Sequence, residues 1–512
     1  MALEFRDIVY FDPFEKVWRG SVDADDTIVT AFGPVTCTKL LPHDGTVLCS
    51  HPCGALAYIK GDWITRDREG QYCVMSRTAP APPQGRAAEY YEIDDEDPAP
   101  RKPTIVDLRG CYVLAHDMRL LAEPLATNYF VLTLNLSGNG LGDDSIRLLS
   151  GALATNAALR TLVLSYNDVR AAGAVALAES LGANGTVTHV DLSHNHIGCN
   201  GLVAWLSLKT NSTLETLLMS HNPAIDDGGG VDLLRALATE PRSLHEETRL
   251  KLLLKSATYV ASLLDAPANT SVLTLCLSDI GLSLASAERL RHVLTATAVL
   301  RTLDVSMNSF SAACHAQLAL GLAANASLTH LNYGANPLDD AAGEAMAQAL
   351  TGHPTLITAL FPVCFGGATA GAHLAALVAT TTRLTHLDVS GRHIEAPGIV
   401  ALCKAIGSNH SLRILELTST GLKSDTVVQV LARALEANQT LEQLHLGYNN
   451  ITLRGCKLLR EAVATNARCQ LTAETLFLEG NSGTKARGSG VLISGGSLSP
   501  TKPPSHPNDT IT

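Results

Sequence analysis

Apolar and polar positions alternate along this chain on two nested periods. The pattern Leu-x-x-Leu-x-Leu-x-x-Asn occurs at Val131–Asn139, Leu159–Asn167, Val187–Asn195 and Leu214–Asn222. It returns at Val272–Ile280, Leu300–Asn308, Leu328–Asn336, Leu356–Cys364, Leu384–Arg392, Leu412–Thr420 and Leu441–Asn449. An earlier copy is Pro103–Cys111, and a degenerate one ends at Asn481. Ninth positions advance by 28, 28, 27 and 58, then 28 five times and 29, so the 58-residue step reads as two repeats with one unrecognisable copy between them. Within each copy the period of two predicts a short strand, with positions 4 and 6 inward and positions 3, 5 and 7 outward. Stretches such as 171–184 and 340–353 follow, with apolar residues three and four apart and much Ala, which predicts an amphipathic helix. A second Asn stands 11 residues before the ninth position, at 128, 156, 184, 211, 269, 325, 409 and 438. It falls where the helix must stop, and the expectation is a left-handed residue there.

The repetition identifies a leucine-rich repeat array, and its 28-residue unit with a full helix resembles the ribonuclease-inhibitor type over roughly residues 103–482. That class also occurs in the C-terminal regions of NOD-like receptors, in Ran GTPase-activating proteins and in some axonemal proteins. The resemblance implies an α/β fold: a solenoid bent into a horseshoe, with a parallel sheet on the concave side and helices on the convex side. It implies no single function. The ninth-position Asn is expected to hydrogen-bond neighbouring loop backbone, with Cys111 and Cys364 in the same slot. Arg392, Thr420 and Ile280 replace that Asn and leave open whether the later repeats are looser.

Outside the repeats the composition changes. Eleven of the 23 aromatic residues precede residue 103, and short apolar runs there suggest a small β-rich domain or cap over 1–78. An end repeat leaves one core face open, which a cap would close. Residues 79–102 read as an acidic, Pro-rich linker and 483–512 as a disordered tail. Between Asn222 and Val272 no strand with inward Leu pairs can be written. A degenerate repeat near 240–256 is the preferred reading, with a binding loop as the alternative.

Composition narrows the function. Thirty-eight Lys and Arg face 49 Asp and Glu, a net charge of −11, which argues against nucleic acid as the main partner. No secretory signal and no run of about 18 apolar residues is visible, so a membrane span is not expected. Twelve scattered cysteines suit free thiols in a reducing compartment, and the expected location is cytoplasmic, with cytoskeletal association as a variant. Nine Asn-x-Ser/Thr sequons occur, six of them at the second Asn, and they are read as a by-product of the repeat.

The outward rows carry the candidate chemistry. Position 3 is mostly Thr and His, position 5 mixes acids with Asn and apolar residues, and position 7 is Ser in seven copies. His189, Asp191 and Ser193 share one strand face, but steps of about 6.6 Å are too long for direct hydrogen bonds. His189, His194, His196 and His221 offer no spacing that fixes a metal tetrahedron. Cys37, Cys49, Cys53 and Cys73, with His43 and His51, match no common zinc module. No phosphate-binding Gly-x-x-x-x-Gly-Lys-Ser/Thr occurs; Gly480–Lys485 is the nearest string. The expectation is a non-enzymatic protein-interaction scaffold with no catalytic, metal or cofactor site. Its contact residues are His189, Asp191, Asp304, His330, Asn332, His386, Asp388, Glu416 and His445, facing a protein partner with a basic patch, not nucleic acid or membrane. The alternative is a regulator of a small GTPase, similar to Ran GTPase-activating proteins.

Overall fold

A computed structural model describes residues 105–225, 227–237 and 268–481, together with eight strand segments between Val9 and Val74. Those eight are β1 (Val9–Asp12), β2 (Val17–Gly20), β3 (Thr27–Thr30), β4 (Gly33–Leu40), β5 (Thr46–Ser50), β6 (Leu56–Lys60), β7 (Ile64–Arg66) and β8 (Tyr72–Val74). They form one sheet in the order β2-β1-β7-β8-β3-β4-β5-β6, antiparallel except at β1–β7 and β3–β8. Cys37 and Cys49 are register partners on β4 and β5, and Cys73 lies on β8; Cys53, His43 and His51 fall outside the described residues. The linker at 79–102 and the tail at 483–512 also fall outside them.

From residue 105 the chain alternates strand and helix. The strands are β9 (Ile105–Asp107), β10 (Thr133–Asn135), β11 (Thr161–Val163), β12 (His189–Asp191), β13 (Thr216–Leu218), β14 (Thr274–Cys276) and β15 (Thr302–Asp304). They continue as β16 (His330–Asn332), β17 (Thr358–Leu360), β18 (His386–Asp388), β19 (Ile414–Glu416), β20 (Gln443–His445) and β21 (Leu476–Phe477). All thirteen lie side by side in chain order as one parallel sheet, with β9 and β21 at its edges. Register is uniform, Leu134 opposite Leu162 and Leu162 opposite Val190, because every repeat presents the same inward pair.

Twelve helices among the described residues cover the other face of the core. The first five are α1 (Ala115–Thr127), α2 (Asp143–Leu153), α3 (Ala171–Ala183), α4 (Cys199–Leu202) and α5 (Asp227–Leu234). Then come α6 (Leu284–Ala296), α7 (Ala312–Ala324), α8 (Asp340–Leu350), α9 (Ala370–Thr380), α10 (Ala396–Ser408), α11 (Asp425–Ala437) and α12 (Leu453–Thr465). The repeat that is one residue short departs from this plan. Its α4 passes into a 3₁₀ turn, Val203–Lys209, whose larger rise of about 2.0 Å per residue covers the span with fewer residues.

From β10 onward positions 4 and 6 are buried, as at Leu134, Leu136, Leu162, Leu164, Leu303 and Val305. One block departs from this aliphatic core. Tyr333 and Phe361 take position 6, directly after β16 and β17, and pack with Phe310 and Phe365. The buried Tyr333 hydroxyl meets Nδ1 of buried His315 at 2.7 Å. Burial pushes the His315 pKa below the ordinary imidazole value, and it does the same to His194 and His353. A histidine with a lowered folded pKa stabilises the fold above its unfolded pKa of about 6.5 and loses that contribution as pH falls, because only the unfolded chain then takes the proton. Thermal stability is therefore expected to drop as pH falls below about 6.5. The double variant His315→Leu/Tyr333→Phe should show a flatter dependence in calorimetry, and an equal slope would contradict this assignment.

The ninth-position Asn side chains run as a buried ladder through the turns. Asn167 donates from Nδ2 to the carbonyls of Leu136 and Leu164, and its Oδ1 accepts from the backbone N–H groups of Asn139 and Leu141. The replacements keep part of this bonding. Arg392 reaches the Cys364 carbonyl at 2.7 Å, Thr420 donates to the Leu417 carbonyl at 2.8 Å, and the Cys364 thiol points at the Tyr333 carbonyl at 3.2 Å. Ile280 instead seals the slot as a fully buried side chain.

The second Asn corrects an expectation. Asn128, Asn184, Asn325, Asn409 and Asn438 are extended, with φ between −67° and −78°, and none is left-handed. Their side chains fix them there. Asn184 Nδ2 donates to the Leu153 and Asn156 carbonyls, while its Oδ1 accepts from the N–H of Thr186 and Val187. The amide is thus consumed in the wall between repeats, which is why sequons recur in this phase. The left-handed residues lie at position 8 of the strand turn in all thirteen copies, from Gly110 to Gly480.

Across the long step, β13 pairs directly with β14. No strand stands between them, so the 58 residues occupy one sheet interval and exceed the ordinary step by about thirty. The segment read as a degenerate repeat, 240–256, lies outside the described residues.

Candidate functional site

The strand face away from the helices carries the outward rows, and their hydrogen bonds divide the nine candidate residues into three groups. On β12, His189 is exposed and shares a 2.7 Å hydrogen bond with the neighbouring Thr188 hydroxyl. Asp191 Oδ1 accepts from the Ser193 backbone N–H at 2.9 Å. His189, Asp191 and Ser193 therefore form local turn bonds in place of a relay.

On β15 and β16, Asp304 Oδ1 accepts from the backbone N–H and hydroxyl of Ser306, and its Oδ2 accepts from Asn332 Nδ2 at 2.9 Å. His330 is exposed and hydrogen-bonded to Thr329. Cys276, between Asp191 and Asp304 in the row, has its thiol pushed up to about 12 by burial and by those two acids, so it is no nucleophile at neutral pH.

The third group is the tightest. His386 Nε2 lies 2.9 Å from Glu416 Oε1, diagonally across β18 and β19, and Asp388 is the direct register partner of Glu416. The histidine hydrogen bond holds the Glu416 pKa below the ordinary carboxylate value. Burial, with Glu416 alongside, raises that of Asp388, although its Oδ1 accepts from the Ser390 N–H at 2.8 Å. His445, next in the row, stacks on Phe477 of β21 at 4.2 Å. Thus five residues, His386, Asp388, Glu416, His445 and Phe477, lie together. Val163, Leu218 and Leu360 interrupt the row elsewhere.

A second feature lies on the rim. The left-handed position 8 swings its side chain out of the turn, and four successive copies carry Tyr166, His194, His221 and Asp279. The rings of Tyr166 and His194 stack at 4.0 Å and 10°, and those of His194 and His221 at 4.2 Å and 18°. His221 Nδ1 then meets Asp279 Oδ2 at 3.0 Å. Rings stacked face to face do not converge on a point, and His196 turns instead toward Asp168 at 3.8 Å. Of the four histidines weighed together from sequence, His194 and His221 meet as stacked rings, while His189 and His196 turn to other partners. The signal for the rim was present: Tyr, His, His and Asp occupy in succession a slot that most other copies fill with a small or apolar residue.

The Leucine Rich repeat family profile matches residues 127–150, 155–178, 183–204, 210–234 and 437–459. This chain is a leucine-rich repeat protein. It is similar to NACHT, LRR and PYD domains-containing protein 5 of Homo sapiens, 29% identical over 270 residues that make up 50% of this chain and 22% of that one. With protein 13 of the same group, also from Homo sapiens, it is 31% identical over 184 residues, 34% of this chain and 17% of the other. This leucine-rich repeat protein spans about a fifth of the length of those curated relatives. A solved structure titled as the Rad7 and Elc1 complex in yeast matches with a TM-score of 0.40 and 15% identity, over 68% of this chain and 81% of that one.

Leucine-rich repeat proteins generally mediate protein–protein contacts, and the arrangement here suits that work: a continuous parallel sheet with closely spaced polar side chains on its outward rows. Position 5 has a double duty that sequence spacing hid. Each Asp or Asn there spends one oxygen on the N–H two residues later, which fixes the strand turn. No helix among the described residues is long and apolar enough to cross a membrane.

Proposed function

We propose that this leucine-rich repeat protein is a non-catalytic scaffold that holds a protein partner on its strand face, and that the partner presents Lys or Arg to the β18–β19 acids. The acidic row supports this reading above all. From β10 to β20, positions 3, 5 and 7 hold the carboxylates Asp191, Asp304, Asp388 and Glu416 and no Lys or Arg, and Asp388 and Glu416 are pressed together as register partners. Burial first, and the Glu416 charge after it, raise the pKa of Asp388, so its ionised form is short of positive charge. A partner cation would relieve it, and a long rigid face lets such contacts add up. The proposal includes a cytoplasmic location, which the free cysteines among the described residues support.

The test is capture of partners by wild type and by Asp304→Asn/Asp388→Asn/Glu416→Gln, compared by quantitative mass spectrometry. These isosteres preserve the turn-fixing oxygens, so circular dichroism should be unchanged. Specific partners should fall at least about tenfold with the variant, as expected when charge pairs worth about 1.4 kcal/mol or more are lost. Equal recovery would refute the strand-face assignment. Capture of a small GTPase whose hydrolysis the protein accelerates would replace the scaffold reading by the regulator one.

A further inference from the structure

The rim stack ends abruptly at Tyr166. One ring face lies on His194, yet Tyr166 is still 56% exposed, so its open face is the one turned toward the N-terminal repeats. The next two position-8 residues in that direction are Gly138 and Gly110, and position 10 of the second copy is Gly140. All three have positive φ. A Cβ at Gly138 would meet only the Gly110 backbone, at 3.8 Å, and one at Gly110 or Gly140 would meet nothing within 4 Å. The contrast is Gly480, where the Tyr448 ring already lies 2.5 Å from the Cβ position. The Gly138 rung is therefore an empty place in a ladder of planar groups.

Tyr112, at position 10 of the first copy and so outside the position-8 row, is 83% exposed; two strand spacings, about 9.6 Å along the sheet, separate its repeat from that of Tyr166. That width admits one planar group with room to spare. Charge chooses which one. Asp191 acts electrostatically on neighbouring His194, and the strand face beyond carries acids without Lys or Arg. The nearby cations Arg109 and Arg170 are each tied to a carboxylate, Asp107 and Asp168. A guanidinium is planar, weakly hydrated and attracted to a tyrosine face, whereas an ammonium gains less from stacking.

We infer that the slot over Gly138 takes an arginine side chain of the protein partner, stacked on the open face of Tyr166 and prolonging the Tyr166–His194–His221 ladder. This rests on the proposal that the chain binds a protein, and it adds a second, N-terminal point of contact to the β18–β19 acids. A neutral His194 suits such a stack, and burial together with His221 disfavours its charged form.

The probe is N-acetyl-arginine methylamide, titrated into the full chain carrying ¹³C-labelled tyrosine and histidine rings and followed by NMR. Saturable shifts of the Tyr166 and His194 signals are expected with the arginine probe, and clearly weaker ones with the lysine analogue. Tyr166→Leu should weaken the response read at His194 about three- to fivefold, the value of an exposed cation–π contact. Gly138→Asn tolerates the left-handed backbone and fills the rung, so it should abolish the response. Absence of saturable shifts, equal shifts with lysine, a response only to N-acetyl-tryptophan amide, or an unchanged response in Tyr166→Leu would each overturn the inference. The variant Asp304→Asn/Asp388→Asn/Glu416→Gln should keep the response at the rim. Loss of partner capture with an intact rim response refers to the strand face, and the reverse result removes the slot alone.

Discussion

Replacing Leu303 by aspartate is expected to abolish the cooperative melting of the repeats around it. Leu303 is 1% exposed at position 4 of β15, with Leu275 and Leu331 as register partners, both in the same buried layer. A carboxylate there would have leucine on either side, and burying it without a partner costs several kcal/mol even after it takes up a proton, since an unsatisfied polar group costs about 2–7 kcal/mol. Adjacent repeats share the layer, and stability in a solenoid is the sum of unit and interface contributions, so damage spreads to both neighbours. Leu303→Ala is the reference: cavity and transfer losses alone should cost about 2–5 kcal/mol and leave a single transition. Calorimetry on both variants separates the two costs. An unchanged transition in Leu303→Asp would mean that position 4 does not face the core.

Asn449→Ala should come next in size. Asn449 Oδ1 accepts the backbone N–H groups of Thr420, Gly421 and Leu422, and its Nδ2 donates to the carbonyls of Leu417 and Leu446. The side chain is 1% exposed, so water cannot replace these bonds. Each orphaned buried donor costs about 1–3 kcal/mol, and a loss of at least about 3 kcal/mol is expected. The preceding copy has Thr420 in place of its own Asn and relies on Asn449, which sharpens the effect. Thr420→Asn, by contrast, should be neutral or mildly stabilising. Denaturant melts of the two variants provide the check, and equal midpoints would show that the ladder does not hold these turns.

Much of the fold was legible because it repeats. A strand of three residues is too short to predict alone, but it is fixed when the same triplet recurs at Thr133, Thr161 and His189 in one phase. The outward residues followed at once, and with them Asp304, Asp388 and Glu416. The second Asn was misread because a helix end followed by Asn has two solutions, a left-handed cap or an extended residue bonded through its side chain. Only the neighbouring repeat's carbonyls, such as Leu153 for Asn184, choose the second. The rim ladder was missed for a related reason. Tyr166 and His194 are 28 residues apart, and nothing local says that a left-handed turn will lay one ring on the other.

The sequence by itself determined the repeat length, the strand and helix of each unit, the inward pairs and the outward rows, since these depend on side-chain period and on burial of apolar surface. Tertiary structure alone decided what lies beside what. It joined β13 to β14 across the long step, drew His386 onto Glu416 and left Asp388 against it, and stacked the rim rings beside an empty glycine rung. Those outcomes depend on contacts between units about 28 or 58 residues apart, set by lateral strand spacing and turn geometry, which no pattern within one unit encodes.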